Sequence, residues 1–510
     1  MRTLAMTGVM VLALLALTGC SGDSGSGLPQ ELPFTVERAD VGEPLTTAEA
    51  ESFTADMTKF WNDVEYFQWL WLTGHGLHES YNPAMPDYMI HWQDTTATKS
   101  GDTVTFLHVG GADNLMIDNP KIITAVGSAY LLTGDEKLAK IATQHIKGIS
   151  AFFLGYIWGN ENPVVTGLLP RAIFTQDHSY TTDGGRKVVV SYAGVREEKI
   201  DWNANTIHNP ANPTYGDIWV RNERSKDDVP HIFRVVPFLQ RLMEDAKDPD
   251  LIAAAAEAHA NLKAFTKDIV DTGYFIRAKN SNGEVYIPTI DGGGVKDLAS
   301  FVNFEQIMPN AECNSKLNAA LLAYGQPLDN DCGVGISETY ESVSTSVHYY
   351  NFAIIRYFHV AAVHQALAAG HYDVAENLMQ GLMQRADEDM HNTAKRNTES
   401  RWDTDLASWL LAAASAGMPL TSEEKRLIRT LYTASMAYYR TWPNWDLWDA
   451  TVPDGSAAWV PPENADGHAY ISAEEMAAFM ELCYSPYVDR DNIADLINCD
   501  KVADKASWGL

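Results

Sequence analysis

The chain has 510 residues, and 67 Asp+Glu against 37 Lys+Arg give it a formal net charge of −30. A surface this acidic repels phosphate backbones and anionic headgroups, which excludes nucleic acid as a partner and charge-driven attachment to a membrane. At 46% hydrophobic and 20% charged residues, the chain is too apolar to be disordered and belongs to the globular class.

Residues 1–19 begin with Arg2 and an apolar stretch from Val9 to Leu17, too short to span a bilayer. The stretch ends in Leu17-Thr18-Gly19-Cys20. That ending resembles the lipobox of bacterial lipoproteins, in which the peptide is cut before the Cys and the Cys is lipidated. The resemblance implies a signal peptide over 1–19, lipidation at Cys20 and, because residue 21 is Ser and not Asp, sorting to the outer membrane of the cell envelope. Loss of Arg2 would take the charge from −30 to −31, so acyl chains and not charge would hold the protein at its membrane. Residues 20–33, rich in Gly, Ser and Pro, read as a flexible tether. Residues 34–510 are expected to form one large domain.

Apolar residues at i, i+3, i+4 and i+7 predict helices in that body, mostly in pairs. The first runs from Thr46 to about Trp71. Pairs follow at Lys121–Leu132 with Asp135–Phe153, and at Val229–Ala246 with Pro249–Asp271. Two more are Ser346–Ala369 with Tyr372–Asp387, and Asp403–Ala416 with Ser422–Tyr439. A last helix is expected at Ser472–Cys483. Thr133, Asp248 and Thr421 lie at or beside N-caps, and Gly134, Gly370 and Gly417 can end the preceding helices. Joints this short force antiparallel neighbours. The Ala-rich stretches Ile252–His259 and Leu406–Ala416 permit close packing on both sides.

Between the pairs lie long non-helical insertions at 76–118, 155–228 and 272–345. Arg186–Tyr192 reads as a strand, and Tyr274–Ile276 with Glu284–Ile287 as a short hairpin. Four cysteines follow Cys20, and an oxidising compartment favours disulfides among them. Proximity in sequence pairs Cys313 with Cys332 and Cys483 with Cys499.

The run Tyr130-Leu131-Leu132-Thr133-Gly134-Asp135-Glu136-Lys137-Leu138-Ala139-Lys140-Ile141-Ala142 resembles the hairpins of the (α/α) toroid enzymes, which include glycoside hydrolases and polysaccharide lyases. Arg224-Ser225-Lys226-Asp227-Asp228, just before a helix, is similar to a Ser-Arg/Lys-Asp loop in several of those families. The resemblance implies a mainly α fold, an (α/α) toroid or incomplete toroid of antiparallel hairpins with loop and β-hairpin insertions, and a glycan as partner.

Four clusters carry groups suited to such chemistry, since paired carboxylates cleave glycosidic bonds and aromatic faces hold sugars. In the first, Asp227 or Asp228 can act as general base or simply cap the next helix, with Trp219, Arg224 and His231 as substrate contacts. In the second, His348 and Tyr349 are acid–base types used by lyases, with Glu338 and Glu341 beside them. The third joins Asp403 to Arg401, Trp402 and Asp405, either as a helix start or as a sugar-facing rim. The fourth, Trp442 to Asp449, holds Asp446 and Asp449, which suit calcium or substrate. No cofactor is assigned, although the Asp-rich loops at Asp113–Asp118 and Asp489–Asp495 can hold Ca²⁺. His75, His78 and Glu79 are ligand types for zinc, but Gly74 and Gly76 disfavour the helix that their spacing needs, so no metal is assigned. GxSxG, P-loop and GxGxxG signatures are missing. The reading is glycoside hydrolysis on a neutral polysaccharide, with a lyase or a non-catalytic glycan- or protein-binding lipoprotein as alternatives.

Overall fold

The computed structural model describes residues 32–40, 42–63, 95–108, 115–159, 167–181, 185, 187–191, 206–221, 229–274, 276–286, 317–323, 352–440, 469–471, 473–476 and 478–508. Cys20, Cys313 and Cys332 lie outside this set, as do the His75–Glu79 and Trp442–Asp449 clusters.

The described chain is mainly helical. Its elements are α1 (Thr47–Asp63), β1 (Thr95–Ser100), β2 (Thr103–His108), α2 (Leu115–Thr133), α3 (Glu136–Leu154), β3 (Ala172–Phe174), β4 (His178–Thr181), β5 (Lys187–Ser191), β6 (Thr206–Asn212) and β7 (Gly216–Arg221). There follow α4 (Val229–Asp245), α5 (Pro249–Asp271), β8 (Ala278–Lys279), β9 (Val285–Tyr286), α6 (Phe352–Ala369), α7 (Tyr372–Met390), α8 (Thr393–Arg396), α9 (Trp402–Ser415) and α10 (Ser422–Tyr439). The chain ends in α11 (Ala473–Met476), α12 (Phe479–Tyr484), α13 (Arg490–Ile493), α14 (Cys499–Ala503) and a 3₁₀ turn (Lys505–Trp508).

The hairpin joints explain why the helices start where they do. Asp135 accepts from the backbone N–H groups of Lys137 and Leu138, and Asp248 from that of Leu251, so each caps an otherwise unsatisfied helix start. Thr421 and Glu424 form a reciprocal capping box. Thr133 is not a cap but the last residue of α2. Gly134 and Gly370 hold φ of 68° and 76°, left-handed values that end α2 and α6 at little steric cost.

The first members of the pairs pack on one another. α2 lies against α4, α4 against α6, α6 against α9, α9 against α12, and α12 against α2. The second members α3, α5, α7 and α10 each pack against their own partners. α9 is buried on almost every side, as its Ala content predicts, whereas Ile252–His259 buries only one face. Pro237 interrupts the ladder of α4 and leaves the Phe233 carbonyl without its usual donor; Gln365 Nε2 from α6 supplies one at 3.1 Å. α2 and α4 come together at Gly127, where a Cβ would stand 2.6 Å from the Phe238 ring. Gly127→Ala is therefore expected to cost about 1–3 kcal/mol of stability by overpacking, read as a lowered denaturation midpoint with unchanged helical circular dichroism.

The insertions are partly β. β1-β2-β5-β4 form one sheet, with β2 and β5 parallel, and β3-β7-β6 form a second. Arg186–Tyr192 is borne out as β5. The short hairpin is present, its second strand within the expected Glu284–Ile287 and its first displaced from Tyr274–Ile276 to Ala278–Lys279, with Ala278 opposite Tyr286 and Lys279 opposite Val285. Asn209 and Asn212 of β6 donate to the carbonyls of Leu154, Gly155 and Ile157, which satisfies the C-terminal end of α3. The single final helix expected at Ser472–Cys483 is instead two short ones, α11 and α12. The Cys483–Cys499 disulfide ties α12 to α14. Among the described residues, no helix is long and apolar enough to cross a membrane.

Candidate functional site

α2, α4, α6 and α9 are rich in apolar residues, yet each buries ionisable or hydrogen-bonding groups in its first two turns: Lys121, Arg234, Tyr357, Asp405 and Ser408. Such groups stay buried only when partnered. Lys121 and Tyr357 meet at α11, whose Glu475 takes the Lys121 ammonium at 3.0 Å, while Arg234 pairs with Glu481 of α12. Tyr357 Oη shares a 2.5 Å hydrogen bond with Ser408 Oγ and donates to Glu475 Oε1 at 3.3 Å. Two cations flank the Tyr357 ring, Lys121 Nζ at 5.2 Å and the Arg234 guanidinium at 5.4 Å from its centroid. Tyr432 donates from α10 to the Glu475 backbone carbonyl at 3.1 Å.

Asp405 is the titratable centre of this cluster. Burial pushes its pKa up to about 7; Glu475 adds to the rise, while Arg401 and Lys121 oppose it. Arg401 stands 3.5 Å away, on a largely exposed side chain. Tyr357 is held well above the ordinary phenol value, first by burial and then by Glu475, so it stays protonated at neutral pH. The cluster thus sets a carboxyl whose pKa burial raises to about 7 together with a second carboxyl paired to a lysine. Two acids in such unequal environments can divide proton donation and proton acceptance between them.

The residues expected from sequence fall unevenly around this cluster. Asp405 is within it, and Arg401 is at its edge. His231 is buried between the rings of Tyr357 and Phe358, with centroids 5.9 and 5.5 Å away. Trp402 is a correction: only 1% of it is exposed and its indole N–H donates to the Asp389 carbonyl, so it belongs to the core and offers no sugar-facing rim. Asp403 is neither a cap nor an available carboxylate, since α9 starts one residue earlier and Arg396 binds both its oxygens at 2.7 and 3.3 Å. Trp219 is on β7, away from the helices that carry the cluster in chain order, and stacks on His208 at 5.0 Å. His208 in turn pairs with Asp217. Asp227, Asp228, Arg224, His348, Tyr349, Glu338 and Glu341 lie outside the described residues. Of the acids considered for calcium, Asp489 caps α13 and Asp495 pairs with Lys425 at 2.7 Å. No group of three or more metal-ligating side chains occurs among the described residues.

Sequence reasoning missed Lys121, Arg234, Tyr357, Ser408 and Glu475. The usable signal was a charge or hydroxyl near the start of an otherwise apolar helix.

No protein-family model matches the chain, and no curated protein or solved structure is significantly similar to it.

Burial also depresses titrating histidines. His145 and His364 are both held down to about 4 by desolvation. Their folded values lie below the unfolded value of 6.5, so stability is full above pH 6.5 and is lost as pH falls toward 4. The difference in unfolding free energy between His364→Gln and the wild type is expected to change by about 2 kcal/mol between pH 7 and pH 5, in favour of the variant at pH 5. Urea titrations at the two pH values measure it, and parallel pH dependences would refute it.

Proposed function

We propose that this chain is a lipid-anchored envelope protein that hydrolyses glycosidic bonds in a neutral polysaccharide, with Asp405 as general acid and Glu475 as its partner carboxylate. One observation carries the reading: a buried Asp with its pKa raised to about 7 lies in the same cluster as a lysine-paired Glu. Glycoside hydrolysis needs that division between a protonated and an ionised carboxyl. Lys121 holds Glu475 in an ion pair, and Tyr357, fixed by Ser408, can orient a sugar hydroxyl.

The packing order α2–α4–α6–α9–α12 with return to α2 supports an incomplete (α/α) toroid, with α3, α5, α7 and α10 as the outer members. In that arrangement the N-terminal turns of the inner helices gather the acids at one end. The chain before α4 carries Asp227 and Asp228, which stay candidate acids by their place in the sequence alone. The anchor rests on the lipobox resemblance around Cys20, and the preference for neutral glycan on the charge of −30.

Incubation of the purified, unlipidated protein with a panel of neutral polysaccharides should release new reducing ends, without absorbance from unsaturated sugars. Unsaturated products would favour the lyase alternative through His348 and Tyr349. Glycan binding without any products would favour a non-catalytic lipoprotein.

A further inference from the structure

A cavity of about 270 Å³ opens beyond the Arg234–Glu481 ion pair, lined by the C-terminal halves of α4 and α6, the start of α7, and α12 with the residues after it. It lies toward the end of the inner helices opposite Asp405, because α4 and α6 run side by side in the same sense: His231 meets Tyr357, and further along Glu244 and Tyr372 line the same cavity. None of the acids in the candidate site lines it, although Arg234, which flanks the Tyr357 ring, borders both.

Its chemistry is aromatic walls around balanced charge. Tyr372, Tyr484, Tyr487 and Phe238 present rings. The Tyr484 ring is fixed edge-on to Phe238 at 6.2 Å, and its hydroxyl donates to Asp245 at 2.6 Å. Tyr372 is 46% exposed, and Tyr372 and Val285 are the exposed large hydrophobic side chains among the described residues. Two arginines, Arg234 and Arg241, are matched by two glutamates, Glu244 and Glu481. His364, held neutral by burial, adds no charge. A charged ligand gains nothing from such a lining. The Nε groups of Arg234 and Arg241 are nevertheless buried without hydrogen-bond partners among the described residues. Both are sealed from the cavity, so the donors open to a ligand are the Nη hydrogens beyond those held by Glu481 and Asp245. The volume is near the lower end of the roughly 300–1,000 Å³ usual for ligand pockets, which suits one small ring and not a chain.

We infer that this cavity is a second, non-catalytic site that takes a single neutral sugar ring, stacked on Tyr372 and hydrogen-bonded by Arg234 and Arg241. The inference stands on the cavity's own lining and does not require the proposed hydrolysis. The test is titration of the wild-type protein with D-glucose, D-galactose, D-mannose, D-xylose and N-acetyl-D-glucosamine, each followed by saturation-transfer NMR. At least one sugar should bind saturably. Its affinity should weaken at least tenfold in Tyr372→Ala, an exposed position where folding is not at stake, and persist in Tyr372→Phe, which keeps the ring. Asp405→Asn should leave it unchanged. Binding lost in Asp405→Asn but kept in Tyr372→Ala would place the sugar at the candidate active site and overturn the inference. So would the absence of binding by all five. Glycan turnover without this binding would retain the proposed hydrolase alone, and Tyr372-dependent binding without turnover would retain this site alone.

Discussion

Asp405→Asn should lower turnover on any cleaved glycan by roughly 10²–10⁴-fold, the usual contribution of a positioned general acid, and should make the protein more stable at pH 8. The two effects have one cause. The side chain's pKa is about 7 in the folded protein against an ordinary 3.8, because burial disfavours its charge. Below pH 3.8 both states bind the proton and the group is neutral toward folding. Between that value and 7 the folded state holds a proton that the unfolded state releases, so stability falls as pH rises. Above 7 the folded protein carries the cost of a buried carboxylate, at most a few kcal/mol, which asparagine removes. Urea unfolding of wild type and variant at pH 4.5 and pH 8 measures this: the curves should lie close at the lower pH, with the variant shifted to higher urea at pH 8. The activity of the wild type should show an alkaline limb near pH 7, set by loss of this proton. Full turnover in Asp405→Asn would remove Asp405 from the chemistry, and a variant destabilised at both pH values would mean that the carboxyl is held by its hydrogen bonds more than it is penalised by burial. Gain of stability with loss of turnover is the pattern of a group retained for function at the expense of folding.

The helical pairs were legible because their signals are local. Asp248 before Pro249, and Thr421 before Glu423-Glu424, sit next to the apolar repeats they introduce, and the structure starts helices there. Where the expected start was wrong, a proline or a tertiary contact intervened. α2 begins at Leu115 and not at Lys121, so Pro120, which reads as a breaker, lies inside the helix, past the first turn where proline is usually tolerated. Among the described residues, the candidate site was legible at Asp405, Arg401 and the neighbouring His231. Lys121 and Glu475 meet across most of the chain, and no short window contains both. Trp402 shows the converse error: an aromatic beside Arg and Asp reads as a rim, but a helix start carried inward by the burial of α9 turns it into core. Convergence is a property of packing order, and packing order is what local periodicity leaves open.

The largest loss of stability should come from Asp389→Ala, at about 3–5 kcal/mol. Asp389 is fully buried in α7, with Arg356 Nε at 3.3 Å and Arg385 Nη2 at 2.9 Å. Arg356 is itself fully buried, and its guanidinium lies 6.0 Å from the Trp409 ring. Burial lowers the Arg356 pKa and Asp389 opposes that shift, so the carboxylate is what makes the buried cation tolerable. Arg385 keeps Glu388 at 2.5 Å when Asp389 is removed, which limits the damage on that side. Most of the cost should therefore be traceable to Arg356. The double replacement Asp389→Leu with Arg356→Met should accordingly recover most of the stability lost by Asp389→Ala, because a matched apolar pair avoids two desolvation penalties at once. Chemical denaturation of the wild type, the single variant and the double variant measures both parts. Recovery would show that the single variant suffers from a stranded charge. No recovery would assign the loss to packing around the Asp389 backbone, where the Trp402 indole is anchored. Arg356 directly precedes Tyr357 in α6, so the ion pair also fixes the helix turn that presents the Tyr357 hydroxyl to Ser408 and Glu475. Asp389→Ala should thus lose turnover at temperatures where the protein is still folded, while the double variant, with α6 repacked, should regain it.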